Sequence, residues 1–162
     1  LGAMPLSSLT HAAVASERRL SFYHLHTGER LTSTYWADGQ YLPSSAAEID
    51  FILRDFRTGD VEPIDHRLLD LLFALGRSME SYDAFHVISG FRSPKTNQML
   101  TQQNKGVAKK SLHMKGMAID IRLPGRALED LRLAAIALQQ GGVGNYPKSD
   151  FIHVDVGRVR YW

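Results

Sequence analysis

The chain contains no cysteine in its 162 residues. That excludes disulfide staples, thiolate metal sites and cysteine nucleophiles, and it makes the chain indifferent to the redox state of its compartment. No stretch approaches the ~18–20 consecutive apolar residues of a membrane span. Charge of one sign is equally scarce: 19 Lys and Arg against 17 Asp and Glu leave a formal net charge of +2. Arg18-Arg19 and Lys109-Lys110 are the only adjacent basic pairs, so there is no cationic stripe of the kind that tracks nucleic acid. Internal repeats and low-complexity segments are absent as well. What remains is the composition of an ordinary globular domain, 44% hydrophobic and 22% charged, and long enough to bury a core without staples.

Residues 1–19 lack turn signals and are expected to form an N-terminal arm; Leu1-Gly-Ala-Met-Pro5 reads like a junction or a trimmed end. A signal peptide could have been removed ahead of it. Residues 20–162 form the domain. Leu20 to His26, a Thr27-Gly28 turn, and Arg30 to Trp36 read as a β-hairpin. Ser44-Ser45-Ala-Ala-Glu48 reads as the cap of a helix carrying Ile49, Ile52, Leu53 and Phe56, closed by Thr58-Gly59-Asp60. Asp65 caps a second helix with a broad leucine stripe from Leu68 to Leu75. Phe85 to Gly90 is a short buried strand, and Ser93-Pro94 starts a third helix. Gly116 to Leu123 alternates, with Met117, Ile119, Ile121 and Leu123 on the core side. Ala127 to Gln140 is an amphipathic helix ended by Gly141-Gly142, and Phe151 to Val156 is again a strand. The order predicts a single α+β domain, a central antiparallel sheet flanked by helices.

Two apolar segments carry polar residues that a core does not need. Ser111-Leu-His-Met-Lys-Gly-Met-Ala-Ile-Asp120 and Asp150-Phe-Ile-His-Val-Asp155 together hold two histidines and three carboxylates. Buried charge is costly unless it is paired or bound to metal. If the two strands are antiparallel neighbours, Asp120 and His153 face one another and His113 reaches in from the preceding loop. Three protein ligands with a fourth position open are the arrangement of a catalytic zinc. Hydrogen-bonded core histidines remain the alternative on these residues alone. Of the other histidines, His24 and His26 are expected to form a surface pair. His11, His66 and His86 have no ligand-like spacing.

Ser111-x-His113-x-x-Gly116-x-Ala118-x-Asp120 with the later His153 resembles the zinc motif of the LAS metallopeptidases. That group comprises D-alanyl-D-alanine carboxypeptidases, D-Ala-D-Ala dipeptidases and murein endopeptidases, and its fold recurs in the hedgehog signalling domain. Ile88-Ser-Gly-Phe-Arg-Ser-Pro94, Gly106-Val-Ala, Ser111 to Ile121 and Phe151-Ile-His-Val-Asp155-x-Gly157 resemble most the periplasmic murein endopeptidase K type. The resemblance runs from about Leu20 to Trp162.

It implies Zn2+ held by His113, Asp120 and His153, a hedgehog/D,D-peptidase-like fold, and hydrolysis of peptide cross-links between peptidoglycan stem peptides in the periplasm. It implies further that Arg92 polarises the scissile carbonyl and that Asp150, three residues before the last histidine, is the general base. In a regular strand Asp150 points away from His153, so that role requires the strand to start irregularly. Asp155 shares the face of His153 and is the alternative base, though it is expected rather to orient that histidine, and Ser111 is expected to orient the site. Where some members carry a His-x-His pair, this chain has Phe151. Tyr146 and the loop from Asn104 to Lys110 are candidate groove walls. Two further functions fit the same residues: a D,D- or L,D-carboxypeptidase holding a stem-peptide carboxylate with Lys109, Lys110 or Lys115, and a non-catalytic peptidoglycan-binding module.

Overall fold

A computed structural model describes residues 16–104 and 106–162. His11 and most of the expected arm, residues 1–15, lie outside it. The elements in chain order are β1 (Glu17–His24), β2 (Arg30–Ala37), β3 (Gln40–Tyr41), α1 (Pro43–Ile52), α2 (His66–Ser78), β4 (Phe85–Ser89), α3 (Pro94–Gln103), β5 (Ala118–Arg122), α4 (Leu128–Leu138), β6 (Gly142–Tyr146), β7 (Phe151–Asp155) and β8 (Arg160–Tyr161). Short 3-10 turns at Leu112–Lys115 and Pro147–Ser149 precede β5 and β7.

All eight strands join one sheet in the order β3-β2-β1-β4-β5-β7-β6-β8. The α+β class is as expected, but the sheet is mixed. The β1–β4 and β6–β8 pairs are parallel, and the others are antiparallel. Helix α2 packs on β1 and α4, and α4 packs on β6 and β7. The period-2 alternation decides which side of β5 and β7 meets the core: Ile119, Ile121, Ile152 and Val154 are fully buried in it. Asp120 and His153 therefore project from the opposite face.

Several local expectations need correction. Residues 17–19 belong to β1, so the arm stops short of Arg19. Helix α1 starts with Pro43 at its first turn and has no side-chain cap. Glu48 instead accepts a hydrogen bond from Ser33 at 3.1 Å. The helix ends at Ile52, before Thr58-Gly59, because the chain turns so that the Leu53 carbonyl can accept the Phe91 N–H at 2.7 Å. Helix α4 stops at Leu138, with Gln139 in left-handed backbone (φ 52°) as its end. Gly142 opens β6, a strand the sequence reading missed. His24 is not on the surface. β1 is an interior strand between β2 and β4, which buries His24 completely.

Candidate metal centre

The register of β5 and β7 builds the site. Asp120 pairs directly with His153 across the ladder, and His153 Nδ1 lies 3.0 Å from Asp120 Oδ1. His113 arrives from the 3-10 turn Leu112–Lys115, which Ser111 caps by accepting the His113 N–H. Gly116 closes that turn with φ 62°, and a Cβ there would meet the Pro63 carbonyl oxygen at 2.2 Å. Only glycine satisfies both demands. His113 Nε2 comes within 3.3 Å of Asp120 Oδ1 and 3.2 Å of His153 Nδ1. One donor atom from each of the three residues lies within 4.8 Å of the others, and all three side chains are buried.

The outer nitrogens decide what the inner ones can do. His113 Nδ1 is 2.8 Å from the Gly90 carbonyl oxygen, which can only accept, so that nitrogen carries the proton. His153 Nε2 is 2.9 Å from the Asp155 carboxylate and donates in the same way. In the neutral imidazoles both lone pairs then point at each other and at the Asp120 carboxylate. Three acceptors in contact with no donor among them repel unless a cation sits between them. Two histidine nitrogens and a carboxylate oxygen are a donor set that suits zinc, and each histidine has the outer partner typical of a metal ligand. Burial raises the Asp120 carboxyl, but the neighbouring His113 and His153 more than reverse this and hold it below the usual carboxylate range. Burial works against a charged His153, but its hydrogen bonds to Asp120 and Asp155 outweigh that and raise it. The pocket is thus tuned for positive charge.

Asp155 is fully buried and fully committed. Its Oδ1 accepts from the Gly142 and Gly157 amides and from Arg160, and its Oδ2 accepts from Arg160 and His153. Burial disfavours its charge, and these donors restore it, so the carboxyl sits well below its ordinary value. Asp155 therefore orients His153 and has no lone pair free for proton transfer.

Arg92 lies beside Asp120, its Nη2 3.7 Å from Oδ2. Its backbone N–H donates to the His113 carbonyl, and the next amide, Ser93, donates to the buried Asp55 carboxylate at 2.8 Å. The Gly90-to-Ser93 turn and the His113 turn hold one another in place. Asn97 accepts from Arg92 Nη1 at 3.4 Å and donates to the Ala108 carbonyl. The Arg92 Nε is buried without a partner.

These groups lie along a cleft of about 580 Å3. Tyr146 lines it, as expected, together with Lys110 and parts of the loop from Asn104 to Lys110; Lys109 and Lys115 do not. Phe151, Arg160 and Trp162 line it too. None of these three was read from sequence as lining the site. Phe151 stands in the motif where some members carry a second histidine; for Arg160 and Trp162 the signal was only an arginine and a Tyr-Trp pair after Gly157, residue types without a diagnostic spacing.

Asp150 departs from its expected place. The strand does begin irregularly there, with φ 53°, as its assigned role required. Yet its exposed carboxylate turns to Arg122 at 3.0 Å, and the residue is absent from the cleft lining. Arg122, two residues beyond Asp120 on the same face of β5, attracts it.

A buried His-Asp-His cluster of converging lone pairs, flanked by an arginine and set in a cleft, is the layout of a metallohydrolase. The comparisons agree. The family model described as Peptidoglycan L,D-endopeptidase MepK (Peptidase_M15_2) matches residues 12–162. The chain is 37% identical over 164 residues to the peptidoglycan L,D-endopeptidase MepK of Escherichia coli K12, covering 100% of this chain and 90% of the relative. The Shigella flexneri protein of that name matches to the same extent. The probable peptidoglycan L,D-endopeptidase MepK of Haemophilus influenzae is 39% identical over 160 residues, 98% of this chain and 86% of that protein. The chain belongs to the MepK family of peptidases.

Proposed function

We propose that the protein is a zinc-dependent endopeptidase that hydrolyses L,D peptide cross-links between peptidoglycan stem peptides in the periplasm. The observation that carries this is the convergence of three lone pairs, from His113, Asp120 and His153, at a cleft of about 580 Å3. The relatives' names supply the bond. No helix of the described residues is long and apolar enough to cross a membrane.

Zinc held there supplies a Lewis acid and lowers the pKa of water toward ~7. The chain's own residues do the rest. Asp155 and the Gly90 carbonyl keep the two imidazoles in the ligating tautomer. Arg92 directs its guanidinium at the scissile carbonyl oxygen and stabilises the negative charge that develops on it. Apart from Asp120, no carboxylate among the described residues lines the cleft. Asp150 is the proton carrier in this proposal, and it enters by leaving Arg122. An exposed ion pair of this kind is worth about 0–1 kcal/mol, so opening it is cheap.

Lys110, which lines the cleft and makes no ion pair among the described residues, favours a second reading, a carboxypeptidase that holds a terminal carboxylate. Digestion of defined cross-linked muropeptide dimers, with products resolved by chromatography, separates the readings. Conversion of L,D-linked dimers to monomers supports the endopeptidase. Shortened monomer stems with intact dimers support the carboxypeptidase. Zinc-loaded protein that binds peptidoglycan and alters neither is a binding module and contradicts both.

A further inference from the structure

One wall of the cleft is built with more care than a wall requires. Tyr146 ends β6 opposite Phe151, and the two rings stack with centroids 4.7 Å apart and planes 17° from parallel. The Trp162 indole Nε1 donates to the Tyr146 hydroxyl at 3.1 Å. Trp162 is itself fixed by its backbone, which exchanges hydrogen bonds with Val143 and Asn145. Its ring lies 5.3 Å from the His153 ring. The seat for that ring is Gly144, where a Cβ would stand 2.6 Å from the indole. The phenol is thus held by a stacked ring on one side and a hydrogen bond at its tip.

That hydrogen bond has a polarity. An indole N–H donates and cannot accept, so the Tyr146 oxygen is the acceptor and its own proton is left over. No group among the described residues receives that proton. Tyr146 is partly exposed, and it lines the same cleft as Arg92, His113, Asp120 and His153.

We propose that the Tyr146 hydroxyl is a second hydrogen-bond donor to the scissile carbonyl oxygen, acting with Arg92. The inference rests on the peptidase reading above. As a water oxygen bonds to the carbonyl carbon and gives a proton to the acid–base group, the π pair moves onto the carbonyl oxygen. Arg92 and Tyr146 donate to that oxygen, and neither gives up its proton. When the pair returns, the C–N bond breaks and the amine leaves with a proton brought by the acid–base group. Trp162 positions the phenol: by occupying its acceptor side it aims the free O–H away from the indole.

Tyr146→Phe keeps the stacked ring and removes only the hydroxyl. In zinc-loaded protein acting on an L,D-linked dimer, kcat falls by ~10²–10³, the loss expected for one such donor. KM stays within about twofold, as it does when an interaction is made only in the transition state. Zinc content is unchanged. Affinity for a phosphinate analogue of the cross-link falls in proportion to kcat/KM, whereas zinc-free protein binds the intact dimer as well as wild type does. Trp162→Phe, which keeps a ring and loses the N–H, lowers kcat by less. An unchanged kcat, a loss confined to KM, or a loss of zinc from Tyr146→Phe overturns the proposal. Zinc-loaded wild type that cleaves no cross-link brings down the peptidase reading and this inference with it. An active wild type with an equally active Tyr146→Phe brings down this inference alone.

Discussion

Asp120 Oδ1 and His153 Nδ1 lie 3.0 Å apart at directly paired positions of two antiparallel strands. The ladder fixes their separation, and the Gly90 carbonyl fixes the ring of His113 beside them. Backbone hydrogen bonds therefore build the cluster.

Asp155 sets the affinity of that cluster for metal. Asp155→Asn is nearly isosteric but removes the charge that faces His153 Nε2 and Arg160. Zinc affinity should drop about 10–100-fold, the usual cost of losing an outer partner. Competition against a chromophoric chelator measures it, and an unchanged affinity would show that His153 is held by packing alone.

Asp150 is tested through its two sides. Asp150→Ala should keep zinc and lose ~10²–10⁴ in kcat, the range for a general acid–base. Arg122→Ala, which frees the carboxylate, should leave kcat unchanged or raise it. An Asp150→Ala protein with full zinc and full activity would remove the residue from the mechanism.

His24 carries a pH dependence of stability. Burial, reinforced by the nearby His26, lowers its pKa from 6.5 to about 4. Between those values the unfolded chain binds a proton there that the native chain refuses, so stability declines as pH falls through that window. The full effect amounts to up to about 3 kcal/mol, at 1.36 kcal/mol per unit. His24→Asn keeps an acceptor for the His26 amide, which now donates to His24 Nδ1. Urea titrations from pH 7 to 4 should show a flatter profile for the variant; identical slopes would place the acid sensitivity elsewhere.

Gly144→Ala should push the Trp162 indole off its seat. Overpacking of this kind costs about 1–3 kcal/mol, and the change should show in tryptophan fluorescence and in a lower urea midpoint. A variant with native fluorescence and native stability would mean that β8 yields without cost.

Much of this site was legible because β5 and β7 alternate. Ile119 and Ile121 on one side and Asp120 on the other leave one arrangement that buries the apolar set, and the same holds for Ile152, His153 and Val154. Asp65 and Ser93 declared their helix caps by residue type. The rest depended on partners distant in sequence. Gly142 reads as part of a helix stop, yet it and Gly144 are glycines in a strand because Asp155 and Trp162 approach to 2.6 Å of where a Cβ would stand. The burial of His24 follows from the parallel pairing of β1 with β4, about 60 residues away and invisible to a hairpin pattern. The direction of Asp150 is set by Arg122, and no local rule links position 150 to position 122.

The most direct test of the whole account is zinc withdrawal and return. Wild-type protein stripped by chelator should keep its circular dichroism, because backbone bonds build the site, and should release no monomers from purified peptidoglycan. One equivalent of zinc, about what a single three-ligand site takes, should restore loss of cross-linked dimers in wild type, while His113→Ala and Asp120→Ala should stay inactive at the same zinc. Stripped wild type that still cleaves cross-links, or a His113→Ala protein restored by zinc to wild-type activity, would contradict the account.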